Sequence, residues 1–353
     1  MVIKNKTIKK NYVKRNNKCN QDQEITNICL NKSKFLSLNN VLGIPNNYTD
    51  VIKYKIDNKY VNNIYLLSHD NESFINDEKV KMLVNIIDRT CTYIYDLFSN
   101  VHYQNNKFNL ILLGSEAKKY FPERYEPLTE DNINSAETTF YWTSPRTNDI
   151  TIRIYRKEEL VKVLIHEVIH YLGVDKIVNK DFENIYNVVN PENNNKLIIN
   201  ETVTETLATY INCFIINDLY SSFSSCIYPS VGSRNLEQCL NNEIKFGMLQ
   251  TAKILHHFGF TSIDNFLNNK NNNKKIIQKT AVFEYHILKT IFLLQFDKFI
   301  KTIKDNEPFD KIIMNTFQNK EYQKKINKYI EEVDSLPENI KNTFRMTMCQ
   351  INL

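Results

Sequence analysis

Between Asp77 and Phe98 the apolar residues Val80, Leu83, Val84, Ile87, Cys91, Ile94 and Phe98 recur at spacings of three and four. That period predicts an amphipathic helix with one face in a core. Phe108 to Leu113 is an unbroken apolar run closed by Gly114, which predicts a buried strand. From Phe35 to Leu67, β-branched and aromatic runs alternate with turn signals such as Gly43-Ile44-Pro45-Asn46-Asn47, and predict short strands and loops. Thr138 to Trp142 and Asp149 to Tyr155 read as two more strands, joined across Ser144-Pro145-Arg146-Thr147-Asn148. Past Arg156 the period changes from two towards 3.6. Lys157 to Leu172 predicts a helix with Glu158 and Glu159 in its first turn and Gly173 as its C-cap. Further helices are expected near 200–220, 236–258, 275–304, 319–333 and 337–348, split by Pro229, Gly259, Pro308 and Pro337.

This order of elements predicts an α+β fold. Residues 31–173 form an N-terminal lobe of small mixed sheet and helices, ending in the helix over 157–172, and residues 174–353 form a mostly helical lobe. Residues 1–30 read as a basic flexible tail, because Lys4, Lys6, Lys9, Lys10, Lys14, Arg15 and Lys18 all precede the first acid, Asp22.

Composition narrows the function classes. A 42% hydrophobic content in 353 residues suffices for a large core. A net charge of +5 is mild for a dedicated nucleic-acid binder, so contact with nucleic acid is confined to the basic tail. The N-terminus lacks the apolar stretch of a signal peptide, and no run is long enough to span a membrane. The seven cysteines are scattered without a C-x-x-C pair, which suits reduced thiols and an intracellular setting. About 50 Asn, with many Lys and Ile, point to the AT-rich coding of giant viruses and protists, and so to the cytoplasm or a virion.

Candidate chemistry lies in His166-Glu167-Val168-Ile169-His170. Residues four apart share one helix face, so both imidazoles reach one cation without a loop having to fold around it. Glu167, about 100° around the helix, can address a water on that cation. Catalytic Zn²⁺ takes three protein ligands and keeps a fourth position open, so a third ligand must come from elsewhere. Asn200-Glu201-Thr202-Val203-Thr204-Glu205 opens the next strong helix and offers two carboxylates.

An H-E-x-x-H pair followed by N-E-x-x-[ST]-[DE] resembles the gluzincin, thermolysin-like zinc metallopeptidases, over about residues 75 to 220. Thr204 and Glu205 stand where the commoner residues are Ser and Asp. The resemblance implies hydrolysis of a peptide or protein substrate, one Zn²⁺ per chain, His166, His170 and Glu201 as ligands, Glu167 as general base, and Glu205 as the acid behind a ligand histidine. It also implies an edge strand that pairs with substrate, for which Thr138 to Trp142 and Thr151 to Tyr155 are candidates, and a transition-state donor. His256, His257 and the pair Tyr285-His286 qualify for the latter by residue type alone.

Three alternatives stay open. Glu205 could be the ligand, since Glu205 to Tyr210 resembles the E-G-x-A-x-Y helix of other gluzincins. His166 to Gly173 also fits the start of the metzincin signature, although Lys176 stands where that family places its third ligand. The third is an inactive metallopeptidase-like binding protein, against which the presence of Glu167 argues.

Overall fold

The computed structural model describes residues 8–14, 50–68, 75–99, 101, 106–140, 150–176, 187–219, 224–226, 235–268 and 274–351. Six strands form one mixed sheet: β1 (Ile8–Lys14), β2 (Asp50–Ile56), β3 (Val61–Ser68), β4 (Phe108–Ser115), β5 (Ala136–Phe140) and β6 (Ile150–Arg156), in the order β1-β2-β3-β4-β6-β5. The pairs β3–β4 and β4–β6 are parallel; the other three are antiparallel. Helix α1 (Asp77–Leu97) is the crossover from β3 to β4, and its predicted stripe is buried from Val80 to Ile94. The short α2 (Glu130–Ile133) leads into β5, which forms an edge of the sheet among the described residues.

Helix α3 (Leu160–Leu172) follows β6 and packs on β5, β6 and α1, with every residue but His170 buried. A helical half follows: α4 (Ile199–Leu219), α5 (Leu236–His257), α6 (Ile263–Leu267), a π-helical segment Glu284–Leu288, α7 (Lys289–Leu294), α8 (Phe296–Lys304), α9 (Asp310–Phe317), α10 (Lys320–Glu332) and α11 (Glu338–Asn342). The fold is α+β, as the periodicity predicts. No described helix is long and apolar enough to cross a membrane.

Four elements differ from the sequence expectations. Within the segment read as tail, Ile8–Lys14 pairs along its whole length with β2, which satisfies the backbone groups on that side; the rest of 1–30 lies outside the described residues. Helix α3 starts at Leu160 and not Lys157, because Glu159 adopts a left-handed backbone (φ 59, ψ 24) that a continuing helix excludes. The helix expected over 275–304 is divided. Ile276–Ile277 pairs in parallel with Val188–Val189, and the chain kinks at Gln295 (φ −120, ψ 38). The last predicted helix ends at Asn342, and Cys349–Ile351 pairs with Ser224–Cys226 instead.

The last of these departures has its agent in buried carboxylates. Glu159 accepts from Lys119 Nζ at 2.5 Å and from the backbone N–H groups of Met346 (3.2 Å) and Thr347 (2.5 Å), with Arg345 Nε 3.8 Å away. Glu243 of α5 accepts from the Thr347 hydroxyl and from the N–H groups of Met348 and Cys349. These bonds replace the ones a helix would have given residues 346–349, and fasten that segment across the start of α3. Nearby, α5 crosses α7 so closely that a β-carbon on Gly247 would lie 2.1 Å from Thr290 Oγ1.

Candidate metal centre

On α3, Lys162, His166 and His170 succeed one another every four residues and make a polar stripe on an otherwise apolar helix. Helix α4 packs beside it and presents Glu201 and Glu205, again four apart. The stripes meet antiparallel. Glu201 Oε2 lies 3.5 Å from both His166 Nε2 and His170 Nε2, and those two nitrogens are 3.0 Å apart. Glu205 reaches the other side of His166, with Oε2 2.9 Å from Nδ1. A carboxylate only accepts, so Nδ1 carries a hydrogen, and Nε2 is the ring nitrogen turned to His170 and Glu201.

Three atoms with lone pairs thus converge. A tetrahedral ion with bonds of about 2.0–2.1 Å separates its ligands by roughly 3.3 Å, and the observed 3.0, 3.5 and 3.5 Å lie on either side of that value. Two imidazoles and a carboxylate are also a donor set that zinc favours. The residues present fit the ion. Burial works against the charged Glu201 carboxylate, but His170 and His166 outweigh it and hold this carboxyl well below the usual range.

Glu167 turns to the neighbouring face, where the Thr138 hydroxyl of β5 donates to its Oε2 at 2.7 Å. Burial pushes its carboxyl up, against the pull of His166, His170 and Thr138. Both residues line a cleft of about 270 Å³ beside His166, His170, Glu201 and Tyr285. Of the two strands expected as an edge, β5 is at the edge and β6 lies inside the sheet. The edge strand is steadied by Arg156, wholly buried at the end of β6. Its guanidinium donates to the carbonyls of Lys118 (2.7 Å), Asp131 (2.6 Å) and Asn134 (3.0 Å), which lead into β5.

The four histidine and tyrosine candidates divide sharply. Tyr285 enters the cleft from the π-helical segment, donates to Glu201 Oε2 at 3.1 Å, and has its ring 6.0 Å from that of His166. Burial, with Glu201 and Glu205 next, pushes its phenol well above its ordinary value, so it stays an O–H donor. His286 turns the other way, buried and stacked on Phe344, and neither ring nitrogen has a hydrogen-bond partner among the described residues. His256 lies by Asp334 at 3.2 Å, and His257 Nε2 by the Glu126 carbonyl at 2.8 Å. Neither lines the cleft. Gly173 ends α3 as expected, in a left-handed C-cap (φ 72), while Lys176 after it is exposed and outside the cluster.

Sequence reasoning left Tyr285 uncommitted among 20 tyrosines and passed over Thr138 and Lys162. Lys162 carried one usable signal, its place four residues before His166 on the same face.

No family model matches the chain, and no solved structure does. A curated relative, described as an uncharacterized protein of Acanthamoeba polyphaga mimivirus, is 24% identical over 200 residues, 54% of this chain and 49% of that protein. The chain thus spans about half the length of the relative it matches.

Proposed function

We propose that the chain is a zinc-dependent metallopeptidase of the gluzincin kind, with His166, His170 and Glu201 holding the ion. The observation that carries this reading is the convergence of three lone-pair atoms beside a carboxylate, Glu167, that belongs to neither the set nor a salt bridge among the described residues. Bound zinc would supply a water of lowered pKa and polarise the scissile carbonyl. Glu167 would serve as the base towards water and then as the acid towards the leaving amine; a carboxyl raised by burial suits both duties. Tyr285 offers its O–H to the oxygen on which charge develops. The edge that β5 presents among the described residues binds the substrate backbone as an added strand, and Thr138, from that strand, fixes the orientation of Glu167. The mimivirus relative favours a viral setting, in infected cytoplasm or a virion.

A peptide-library digest tests this. The wild type should cut and 1,10-phenanthroline should stop it. Glu167→Gln should keep zinc and fold yet lose about 10²–10⁴-fold in rate, because an amide cannot take the proton. A Gln variant that cuts like wild type would remove Glu167 from the mechanism, and a wild type without bound zinc would remove the metal.

A further inference from the structure

Glu205 faces the metal cluster with one oxygen only. Its Oε1 forms an ion pair with Lys162, and Lys289 of α7 lies 3.9 Å from the same atom. Oε2 is left to His166 Nδ1 at 2.9 Å. All three side chains are shut off from solvent, with 1% exposure at most. The remaining contacts of the two ammonium groups are weaker or lie elsewhere. Lys162 Nζ otherwise meets the Met346 thioether at 3.9 Å, and Lys289 donates to the Met346 carbonyl. Two buried cations are thus spent on one oxygen of the carboxylate that orients a proposed ligand.

Burying such a group costs several kcal/mol per ion, and replacing a buried pair by apolar residues is often neutral or stabilising, so packing alone gives no reason for it. Geometry does. A carboxylate can turn about its last torsion and present either oxygen, or both, to a neighbour. Oε1 has no hydrogen-bond partner among the described residues, so the ion pair with Lys162 is what holds it, and this attraction leaves Oε2 turned to Nδ1. Lys162 sits one turn before His166 on the same helix face, so it registers Glu205 against the imidazole it serves.

We propose that Lys162, seconded by Lys289, is a positioning residue for the metal centre: it locks Glu205 so that His166 keeps its hydrogen on Nδ1 and turns Nε2 to His170 and Glu201. The purpose of this lock rests on the zinc reading above; its geometry does not.

The test uses metal-free full-length protein with ¹⁵N-labelled histidine. Long-range ¹H–¹⁵N correlations, assigned by their loss in His166→Gln, report the tautomer of His166. The wild type should show Nδ1–H, and in Lys162→Met that proton should exchange faster with water, because the released carboxylate no longer stays on it. Zinc affinity, by competition with a calibrated chelator, should fall about 10–100-fold in Lys162→Met, the usual effect of losing an outer partner. Lys162→Met added to Glu205→Gln should cost no further affinity, because Lys162 acts through Glu205. An unchanged exchange rate of the Nδ1 proton, an unchanged affinity, or losses that multiply in the double variant would each overturn the proposal. Should Lys162→Met not fold, Lys289→Met takes its place with smaller changes in the same direction, and none at all overturns it. A wild type that takes up no zinc sinks the peptidase reading alone, since the Nδ1 proton still reports on the lock.

Discussion

Two buried polar clusters lie within reach of α3, and they are built on opposite rules. At the start of the helix, Glu159 and Glu243 meet the Lys119 ammonium group, a hydroxyl and four backbone N–H groups, so these carboxylates find their donors within the chain. Farther along, His166 Nε2, His170 Nε2 and Glu201 Oε2 crowd within 3.5 Å of one another, with the Tyr285 hydroxyl donating to Glu201. Both arrangements lose hydration on folding. The first recovers it internally; under the zinc reading proposed above, the second would recover it from a bound cation. Depth of burial therefore does not tell a strut from a site, whereas the matching of donors to acceptors does.

The most severe test of that contrast is at the unmatched cluster. Glu201→Ala should abolish stoichiometric zinc binding, while Glu205→Ala should weaken it only about 10–100-fold, as loss of an outer partner does. Elemental analysis and chelator competition rank the two, and the reverse order would make Glu205 the ligand. At the matched cluster the damage should instead be to the fold. Glu159→Ala leaves Lys119 buried without its carboxylate and should cost about 3–5 kcal/mol in chemical unfolding, with zinc stoichiometry unchanged in the folded protein.

A smaller effect separates them by pH. Burial opposes the Glu159 charge, but Lys119 and then Arg345 and Lys162 bring its carboxyl from 4.5 down to about 2. A carboxyl depressed in the fold binds fewer protons there than in the unfolded chain. Its contribution is therefore whole above about pH 4.5 and lost as pH falls to about 2. Its size is about 3 kcal/mol. Urea unfolding between pH 5 and pH 2 should show this loss in the wild type and not in Glu159→Gln. Equal slopes would mean that Glu159 is not held ionised by its partners.

How far these features can be read from sequence follows from their range. His166, Glu167 and His170 are fixed relative to one another by the helical period, and Glu201 by a motif on the next long helix; both signals are local. Tyr285 reaches Glu201 across 84 positions of chain, and nothing around it distinguishes it from other tyrosines. Glu158 and Glu159 looked like helix-start acids, but each answers a distant partner: Glu158 accepts from the Lys119 N–H at 2.7 Å, and Glu159 from Lys119 Nζ and residues 346–347. For the same reason the apparent helix after Pro337 stops at Asn342. Its backbone donors are claimed by carboxylates more than 100 residues away, and local propensity yields.

The close crossing at Gly247 bears on how much positional error the cleft can tolerate. Thr290, which a β-carbon there would strike, directly follows Lys289 and lies five residues after Tyr285, on one continuous helical rod. A side chain at 247 would press on Thr290, on the rod that carries both the phenol beside Glu201 and the ammonium beside Glu205. Misplacing a reacting group by about 1 Å can cost 10²-fold in rate. A glycine with no chemistry of its own thus acts as a spacer that sets the alignment of the cleft from behind.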